Sequence, residues 1–565
     1  MRSELVLSIV MGVTSFVAWQ VVKHYEMPSS LLNSIKEEDE EISVLQKNPM
    51  IHLKGGEDSH KIVLSVTQPK EKHSSPPTPL AAFPQAQGGG AAAQGGRGGK
   101  IYWVTNLKDR GLGSLRYGLE ELVGARTILF RVGGYIHLDY PIVVDHDGFI
   151  TIAGQTAPGD GITLTTVNSK EPVLVFRHAH DIILRYLRIR KGGIKAHGQH
   201  GSGLVISRGG EKIIVDHCSV SWAGDDNINI WANASGKEGL KNITVQNSIS
   251  AEGLNYGHPG TSVIVGGSAH IEQMTNISIH HNLFANNKNR NPLLKVASGD
   301  IINNIIYNWS WWATGIGGGV MVDIIGNRYK AGPITTRRGR GEIVFKPYDP
   351  LAKTPEATGI DGDPSIYFNA NVGPHNPDAN HDGWASMMER ANAFWGYPVI
   401  DGKPTRTALS QRYRRREPRQ QVYPIHLDEV NRLEEKLLSS GGVGASQRLS
   451  ANGSWVDNRD LIDQRIIKEY QEGSGKLVQT VDDVGGWPVY QDGHYSYVPE
   501  QQFIQNLKHY HLNGGEAYQD SDQDGMPDKW EDRYHLDKHN GKDAIQDRDG
   551  DGYDNLEEFL NGTKP

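Results

Sequence analysis

Two runs of acidic residues near the C-terminus have the spacing of calcium-binding loops. In each run, carboxylates alternate along the chain, a glycine follows, and a glutamate closes the pattern. Calcium takes hard oxygen ligands, needs a glycine at the sharp turn of the loop and is bound by both oxygens of the final glutamate. The predicted ligands are Asp520, Asp522, Asp524, Asp528 and Glu531 in the first loop, and Asp547, Asp549, Asp551, Asn555 and Glu558 in the second.

Polar residues that could act on an acidic polymer lie between Glu211 and Lys295. Arginine and lysine bind carboxylates, and aspartate or asparagine can hold a cation beside them. The candidates are Asp216, Asp225, Asn229, Arg290 and Lys295. His258 and His281 are candidates for substrate binding or for acid–base chemistry, because histidine titrates near neutral pH. A structural role is the alternative for both histidines.

A repeat of short strands must position these residues. Runs rich in Ile and Val, such as EKIIVDHCSVSW and TNISIHHNLFAN, are bounded by Gly, Asn and Asp. The pattern restarts roughly every thirty residues, which indicates a stacked β-solenoid with tight turns between parallel strands. Recurring asparagines are expected to stack in those turns and to satisfy backbone groups. They are Asn247, Asn282, Asn304 and Asn327.

Composition divides the chain into five predicted parts. Residues 5–22 are apolar and long enough to cross a bilayer, so residues 1–25 are either an export signal or a membrane anchor. Residues 26–94, with acidic, Pro-rich and Gly/Ala-rich tracts, are predicted to be a disordered linker. The solenoid is expected at 95–345, an extension packed on it at 346–515, and the calcium module at 516–565.

The extension contains two arginine clusters, TRRGRG and QRYRRREPR. Clustered arginines are either a solvated face or, on an enzyme for an acidic polymer, a site for carboxylates or sulfates. The formal net charge of -8 gives no reason to expect a nucleic-acid partner. Cys218, the single cysteine, cannot form an intrachain disulfide and is predicted to be a buried core residue. We expect a secreted or cell-surface monomer.

Two segments resemble the pectate lyases of polysaccharide lyase family 1. IIVDHCSVSW is similar to their WIDHCS strand, and ISIHHNLFANNKNRNPLLK is similar to their HHN segment followed by an R-x-P motif. The resemblance covers residues 95–330. It implies an all-β fold, a right-handed parallel β-helix with a cleft along one face, and β-elimination on a uronic acid polymer. Pectate is the first expectation, and another acidic polysaccharide is the alternative.

The resemblance also implies roles for individual residues. Arg290 matches the arginine that acts as base, and Lys295 matches a substrate-binding arginine; a static ion pair is the alternative for Arg290. The family's pair of calcium-binding carboxylates falls on Asp225 and Asn229, so one charge is replaced by an amide and weaker calcium binding is expected. Strand alternation places the neighbouring Asp226 on the opposite face.

A protein of another class fits the same sequence. The β-helix could be a non-catalytic carbohydrate-binding or adhesive surface protein. The C-terminal loops resemble EF-hand-like, dockerin-like or thrombospondin type 3-like calcium repeats of exported bacterial proteins. Calcium there is expected to be structural.

Overall fold

The computed structural model describes residues 79–565 with short gaps. The gaps are 167, 169, 194–200, 237, 257–259, 336–340, 349–358, 392–398, 401–402 and 405–406. The predicted signal or anchor at 5–22, the linker up to residue 78 and His258 lie outside the described residues. Among the residues that are described, no helix is both long enough and apolar enough to cross a bilayer.

The chain winds through three parallel sheets, as expected for a parallel β-helix. Sheet A has 10 strands, sheet B has 8 and sheet C has 9. In chain order the strands are β1 (Lys100–Val104, A), β2 (Arg126–Phe130, A), β3 (Gly134–Leu138, B), β4 (Ile142–Asp145, C), β5 (Gly148–Ala153, A), β6 (Ile162–Thr166, B), β7 (Leu174–Arg177, C), β8 (His180–Arg185, A), β9 (Arg188–Arg190, B), β10 (Leu204–Ser207, C), β11 (Glu211–Asp216, A), β12 (Ser219–Ser221, B), β13 (Asp226–Ala232, C), β14 (Lys241–Gln246, A), β15 (Ile249–Ala251, B), β16 (Thr261–Gly267, C), β17 (Thr275–His280, A), β18 (Leu283–Ala285, B), β19 (Leu293–Leu294, C), β20 (Ser298–Ile302, A), β21 (Ile305–Tyr307, B), β22 (Thr314–Gly317, C), β23 (Met321–Ile325, A), β24 (Arg328–Lys330, B), β25 (Ile343–Lys346, C), β26 (Ser365–Asn369, A) and β27 (Met388–Arg390, C).

The core is a column of aliphatic side chains stacked in register. Ile182, Ile213, Ile243 and Ile277 occupy equivalent positions on successive strands of sheet A, and each is fully buried. β-branched residues suit this arrangement because they pack closely on the pleated surface of a sheet. Cys218 is buried in the same core, and burial raises the pKa of its thiol to about 12. This confirms the predicted core position.

A ladder of asparagines runs along one turn of the coils. The amide of Asn282 donates to Asn304 at 3.0 Å, Asn304 donates to Asn327 at 3.0 Å, and Asn327 donates to Asn371 at 2.9 Å. The side-chain oxygens of Asn304, Asn327 and Asn371 each also accept from the backbone N–H of the asparagine in the preceding coil. The stacking of three of the predicted residues is confirmed. Asn247 lies outside the ladder, because its amide donates to Asp216 instead.

The β-helix continues beyond the predicted boundary at residue 345. Strands β26 and β27 add further rungs to sheets A and C, and their side chains Ile366, Phe368 and Met388 are buried in the core. The intervening residues 347–364 break the sequence period, which is why the repeat is not recognisable there. The boundary of the extension therefore moves to about residue 391.

The segment from residue 79 to 94, predicted to be the end of the linker, is packed on sheet A. Phe83 and Ala91 are buried against Ile183 and Ile214, and the backbone N–H of Gly90 donates to Thr244 Oγ1 at 2.8 Å. A Cβ added at Gly90 would lie 2.3 Å from the carbonyl oxygen of Ile213. The small residues that indicated disorder here allow the chain to approach the sheet closely.

The remaining helices and strands belong mostly to the extension and the calcium module. The α-helices are α1 (Trp384–Met387), α2 (Leu433–Leu437), α3 (Leu461–Glu472), α4 (Glu500–Gln505), α5 (Asp528–Tyr534) and α6 (Asn555–Asn561). The strands form three antiparallel pairs, β28 (Val399–Ile400) with β29 (Lys403–Pro404), β30 (Gln447–Leu449) with β31 (Trp455–Asp457), and β32 (Trp487–Gln491) with β33 (His494–Val498). Short 3-10 or π turns lie at Gly89–Ala92, Tyr117–Glu121, Gly154–Thr156, Ile271–Gln273, Gln411–Tyr413, Val430–Arg432 and Val481–Val484.

The second arginine cluster binds carboxylates of the protein itself. Arg419 pairs with Asp300 at 2.8 Å, Arg415 pairs with Asp323, and both aspartates are buried on sheet A. Removing one partner of such a buried pair would leave an uncompensated charge. The cluster therefore fastens the extension to the β-helix, and neither of the two roles considered for it describes these two arginines.

Candidate active site and calcium module

Arg290 lies at the corner where the chain passes from sheet B to sheet C. It follows β18 and precedes β19, and its backbone is left-handed with a φ of 58°. The same corner of two other coils carries Asp225, just before β13, with Asp226 as the first residue of β13, and Trp312, between β21 and β22. Because the coils stack in register, residues distant in sequence meet along this corner.

Arg290 is held by Asp226. Its Nη1 donates to both carboxylate oxygens of Asp226, at 2.9 and 3.0 Å, and Thr261 Oγ1 lies 2.7 Å from Asp226 Oδ1. The Asp226 side chain is 2% exposed, whereas that of Arg290 is 24% exposed. The expectation that Asp226 points to the opposite face is wrong, because Asp226 is the first residue of β13 and turns toward the next coils at the corner.

The charges around Arg290 favour its protonated form. Burial alone would lower the pKa of the guanidinium, but Asp226 and Asp225 outweigh burial and raise this pKa above its usual value. The surroundings of Asp225 disfavour its charged form. Burial and the neighbouring Asp226 raise its pKa to about 7, although Arg290 opposes the shift.

The described part of the cleft is poor in metal ligands. Asn229 lies on β13, and its Oδ1 is buried without a hydrogen-bond partner, so this oxygen is available as a ligand. No group of three His, Cys, Asp or Glu side chains converges near Arg290 in the residues that the structure describes. The described residues therefore do not form a calcium shell in the cleft, and we derive no step of a reaction through a cation there.

Lys295 follows β19 on sheet C and is 5% exposed. Its backbone N–H donates to the carbonyl of Val265 at 2.9 Å, and its aliphatic stem lies beside Gly317, where an added Cβ would be 3.2 Å from Lys295 Cγ. Nearby, Leu293 and Trp312 belong to an apolar cluster. The contact of Lys295 with substrate stays a prediction.

His281 lies at a different corner, between sheets A and B. Its Nε2 is 2.8 Å from Asp428 of the extension, its Nδ1 is 2.8 Å from His280 Nδ1, and the residue is 4% exposed. Burial lowers its pKa, although Asp428 opposes the shift. The predicted role of His281 in substrate binding is wrong for this structure, because the extension covers the ring.

Asp216 and His217 form a structural pair. His217 Nδ1 and Arg185 Nε each lie 2.9 Å from Asp216 Oδ2, and the carboxylate is fully buried. Asp216 therefore stabilises the corner between sheets A and B and is not accessible to a substrate.

The first C-terminal loop has a cluster of buried carboxylates. Carboxylate oxygens of Asp520, Asp522 and Asp524 lie within 4.8 Å of one another, as do those of Asp524, Glu531 and Asp543. Burial, together with neighbouring carboxylates, raises the pKa of Asp524 to about 8 and that of Glu531 to about 9. Such a concentration of negative charge fits a divalent cation with oxygen ligands.

Asp528 takes no part in this cluster. Its Oδ1 accepts from the backbone N–H of Ser521 at 2.7 Å, and its Oδ2 accepts from the Ser521 hydroxyl at 2.8 Å. Both oxygens are therefore occupied within the loop. The prediction that Asp528 is a direct calcium ligand disagrees with this geometry, whereas Asp543 was not predicted and lies in the cluster.

The second loop is more open. Asp547, Asp549 and Asp551 are exposed, and their carboxylate oxygens again lie within 4.8 Å of one another. Glu558 is buried with its Oε2 unpartnered, and its pKa is raised to about 7 by burial. Asn555 Oδ1 is also buried without a partner among the described residues. This loop retains the predicted ligand types.

The calcium module is docked on the first coils of sheet A. Met526, Trp530 and Phe559 share a buried apolar cluster with Leu129. Arg131 of the β-helix pairs with the Asp520 carboxylate at 3.1 Å. The first loop is thus tied directly to the β-helix.

No protein-family model matches the chain. "Probable pectate lyase C" of Aspergillus terreus is 32% identical over 497 residues, which are 86% of this chain and 94% of that protein. The protein of the same name from Emericella nidulans is 33% identical over 491 residues, with 86% and 94% covered.

Solved structures with similar folds include the cedar pollen allergen jun a 1, with 21% identity, coverage of 62% of this chain and 90% of the allergen, and a TM-score of 0.39. A pectate lyase from Paenibacillus sp. 0602 has 12% identity, coverage of 64% and 96%, and a TM-score of 0.41. The family assignment rests on the curated relatives. Since those relatives align with this chain over nearly their whole length, the chain belongs to the pectate lyase family.

Proposed function

We propose that the protein is a polysaccharide lyase that cleaves a uronic acid polymer, with pectate as the first substrate to test. The observation that carries this proposal is Arg290, in the R-x-P motif, held by Asp226 at the B–C corner with its guanidinium partly exposed. The names of the curated relatives support pectate as the polymer.

The reaction would be a β-elimination. The base takes the proton from C5 of a uronate, the electron pair of that C–H bond forms the C4–C5 double bond, and the C4–O4 bond breaks. The leaving O4 takes up a proton, and no water is consumed. Arg290 is our candidate base. Because Asp226 and Asp225 raise its pKa, the neutral guanidine is scarce near pH 7, and activity is expected to rise with pH.

We infer that calcium binds to the C-terminal loops and has a structural role. When bound, the cation supplies positive charge to carboxylates that otherwise repel one another. The first loop is docked on β2 through Arg131, so binding there also stabilises the contact between the module and the β-helix. A polymer substrate and calcium loops both fit an exported protein.

The test of the proposed function is cleavage by the purified full chain. Polygalacturonate is incubated with the parent, Arg290→Ala and Arg432→Ala, and the ultraviolet absorbance of unsaturated uronates is followed. Arg432 is an exposed control on the extension, where it pairs with Glu435. We expect the parent and Arg432→Ala to cleave alike, and Arg290→Ala to bind the polymer without cleaving it. Full activity in Arg290→Ala would refute the assignment of the base.

A non-catalytic carbohydrate-binding protein is the second candidate. Two observations favour it, the ion pair that Arg290 already makes with Asp226 and the lack of a three-residue metal cluster in the described part of the cleft. The same assay separates the two candidates. Polymer binding by the parent without formation of unsaturated products on any uronic polymer would establish the binding protein.

A further inference from the structure

We propose that Asp543, which lies between the two C-terminal loops, closes the first calcium site in the place predicted for Asp528, and thereby couples this site to the second loop. This inference rests on the proposed calcium binding by the first loop. It adds a ligand from outside that loop and a physical connection between the two sites.

The carboxylates around the first loop fall into two groups of three that share Asp524 and that hold several unpartnered oxygens. Six carboxylate oxygens are buried and lack hydrogen-bond partners in the described chain. They are Oδ1 and Oδ2 of Asp522, Oδ2 of Asp524, Oε1 and Oε2 of Glu531, and Oδ1 of Asp543. Glu531 is fully buried, and Asp543 is 5% exposed. Buried acceptors of this kind are costly unless a donor or a cation satisfies them.

The surroundings of Asp543 orient its free oxygen. Its Oδ2 accepts from the backbone N–H of Asp537 at 3.0 Å, so Oδ1 remains available. One carboxylate oxygen of Asp543 lies within 4.8 Å of carboxylate oxygens of Asp524 and Glu531. Two ligands of one calcium ion, each at about 2.3–2.6 Å, can be no more than about 5 Å apart. The separation is therefore compatible with a shared ion.

The chemistry of the shell favours Ca²⁺. Calcium accepts about six to eight oxygen ligands in flexible geometry, whereas Mg²⁺ requires a compact octahedron and keeps several waters. Asp520 adds another carboxylate, whose charge is partly offset by Arg131. A mostly carboxylate site with both oxygens of Glu531 free fits the larger ion.

Asp543 is carried by backbone that pairs with the end of the second loop. Asn555 Nδ2 donates to the carbonyl of Asp543 at 2.8 Å, and the N–H of Leu556 donates to the carbonyl of Ala544 at 3.0 Å. Asn555 lies at the start of α6, within the second calcium pattern. Filling the second loop therefore orders the segment that presents Asp543 to the first, and the coupling must be reciprocal.

The test compares Asp543→Asn with Asp528→Asn in the full chain, by calorimetric Ca²⁺ titration after chelator treatment. Each change replaces a carboxylate with an amide of the same shape. We expect Asp543→Asn to weaken Ca²⁺ binding at the first loop by about tenfold or more, because affinity rises with ligand charge, and Asp528→Asn to retain that affinity within about threefold. Equal affinity in Asp543→Asn and the parent, or an equal loss in Asp528→Asn, would overturn the proposal.

Thermal unfolding separates a ligand from a residue that only supports the fold. In EDTA, Asp543→Asn should unfold at the same temperature as the parent or higher, because one charge is removed from a repelling cluster. Addition of Ca²⁺ should raise the unfolding temperature of Asp543→Asn by less than it raises that of the parent. Equal destabilisation in both conditions would show that Asp543 is merely structural. A parent chain that binds no Ca²⁺ would refute the loop assignment itself.

A second variant tests the coupling between the two loops. Glu558→Gln removes a carboxylate of the second loop that does not touch the first cluster. We expect it to weaken the second site strongly and the first site by a smaller factor, through Asn555 and Asp543. An unchanged affinity of the first site would refute the coupling while leaving Asp543 as a ligand.

Discussion

Arg290 and Asp226 define the chemistry of the B–C corner at the scale of single residues. The carboxylate fixes the guanidinium in position and also keeps it protonated, because the charged pair favours the cation. These two effects act in opposite directions on an arginine base. Position favours proton transfer, whereas the raised pKa disfavours it at neutral pH.

Replacing Asp226 with Asn should therefore shift the pH dependence of cleavage. The pKa of Arg290 falls when the facing carboxylate is removed, so the rise of kcat/KM with pH is expected about one to two units lower. The measurement is a pH profile of product absorbance for the parent and Asp226→Asn. Asp363→Asn, which changes an exposed pair with Arg412 on the extension, serves as the control. A shift to higher pH, or none, would contradict the role of Asp226.

The sequence predicted Arg290 but not its partner. The R-x-P motif identifies the arginine without knowledge of the fold, whereas Asp226 is 64 residues away along the chain and meets it only after the coils stack. The direction predicted for the Asp226 side chain from strand alternation was wrong, because Asp226 is the first residue of a strand and the corner sets its direction. The substrate-binding role predicted for His281 was wrong for a related reason. Asp428, which covers His281, belongs to an extension with no recognisable repeat.

At the scale of secondary-structure elements, the asparagine ladder stabilises the turns between sheets A and B. Asn304 connects three coils, because it accepts from Asn282 and donates to both Asn327 and the carbonyl of Ile279. All of these groups are buried, so each must find a partner within the protein.

Asn304→Ala should lower the free energy of unfolding by about 1–3 kcal/mol or more, because it leaves buried backbone groups without partners. Asn380→Ala, at an exposed asparagine whose amide donates to Asp378, should change it by less than about 0.5 kcal/mol. Denaturant unfolding of the two variants and the parent measures the difference. Similar small effects in both variants would show that the ladder is dispensable.

The calcium module should show an unusual dependence of stability on pH. Asp524 and Glu531 have pKa values raised to about 8 and about 9, so without metal the folded state holds protons that the unfolded state releases above about pH 4. Metal-free stability should therefore fall as pH rises from about 4 to about 9, and the gain from Ca²⁺ should grow over the same range.

Thermal unfolding in EDTA and in Ca²⁺ across this pH range tests whether metal-free stability falls as the pH rises. Glu531→Gln is the comparison variant, because it removes the group with the most strongly raised pKa and should flatten the metal-free slope. The raised pKa values of the buried carboxylates would be contradicted if the metal-free stability of the parent rose over this pH range and did not differ from that of Glu531→Gln.

The elements were predictable where the chain repeats and not where composition is ambiguous. Strands such as β11, β14 and β17 have an Ile-rich pattern that identifies them directly. Residues 79–94 have the composition of a linker, yet their glycines and alanines are needed for close docking on sheet A. The calcium loops were recognisable from spacing, but Asp543 lies outside that spacing and only the fold brings it to the first loop.

At the scale of the whole molecule, three segments cover parts of the β-helix. The N-terminal segment and the calcium module pack on sheet A, and the extension packs on sheet B and also on sheet A. In the part of the chain that the structure describes, this leaves the B–C corner with Arg290 as the predicted polymer cleft. The module also holds the N-terminal segment, because the Tyr553 hydroxyl donates to the carbonyl of Ala81 at 3.1 Å and Arg97, just after the segment, pairs with Glu557 at 2.8 Å.

Removal of calcium should loosen that segment. Without the cation, the carboxylates of the first loop repel one another and the docking of α5 and α6 weakens, so Arg97 becomes accessible. Limited trypsin digestion with and without EDTA, followed by mass spectrometry, should show faster cleavage after Arg97 in EDTA. Cleavage after Arg432, whose side chain is 70% exposed, should not change. Equal rates of cleavage after Arg97 in both conditions would show that calcium binding by the module does not hold the N-terminal segment.

The most direct test of the proposed activity is a lyase screen of the parent chain. Purified protein is incubated with pectate, alginate, ulvan and glycosaminoglycans across neutral and alkaline pH, with and without EDTA, and the absorbance of unsaturated uronates is recorded. We predict that absorbance increases with pectate and increases faster at alkaline pH. An increase in absorbance with another uronic polymer alone would support lyase activity but show that pectate is not the substrate. No increase with any polymer would contradict the proposed activity.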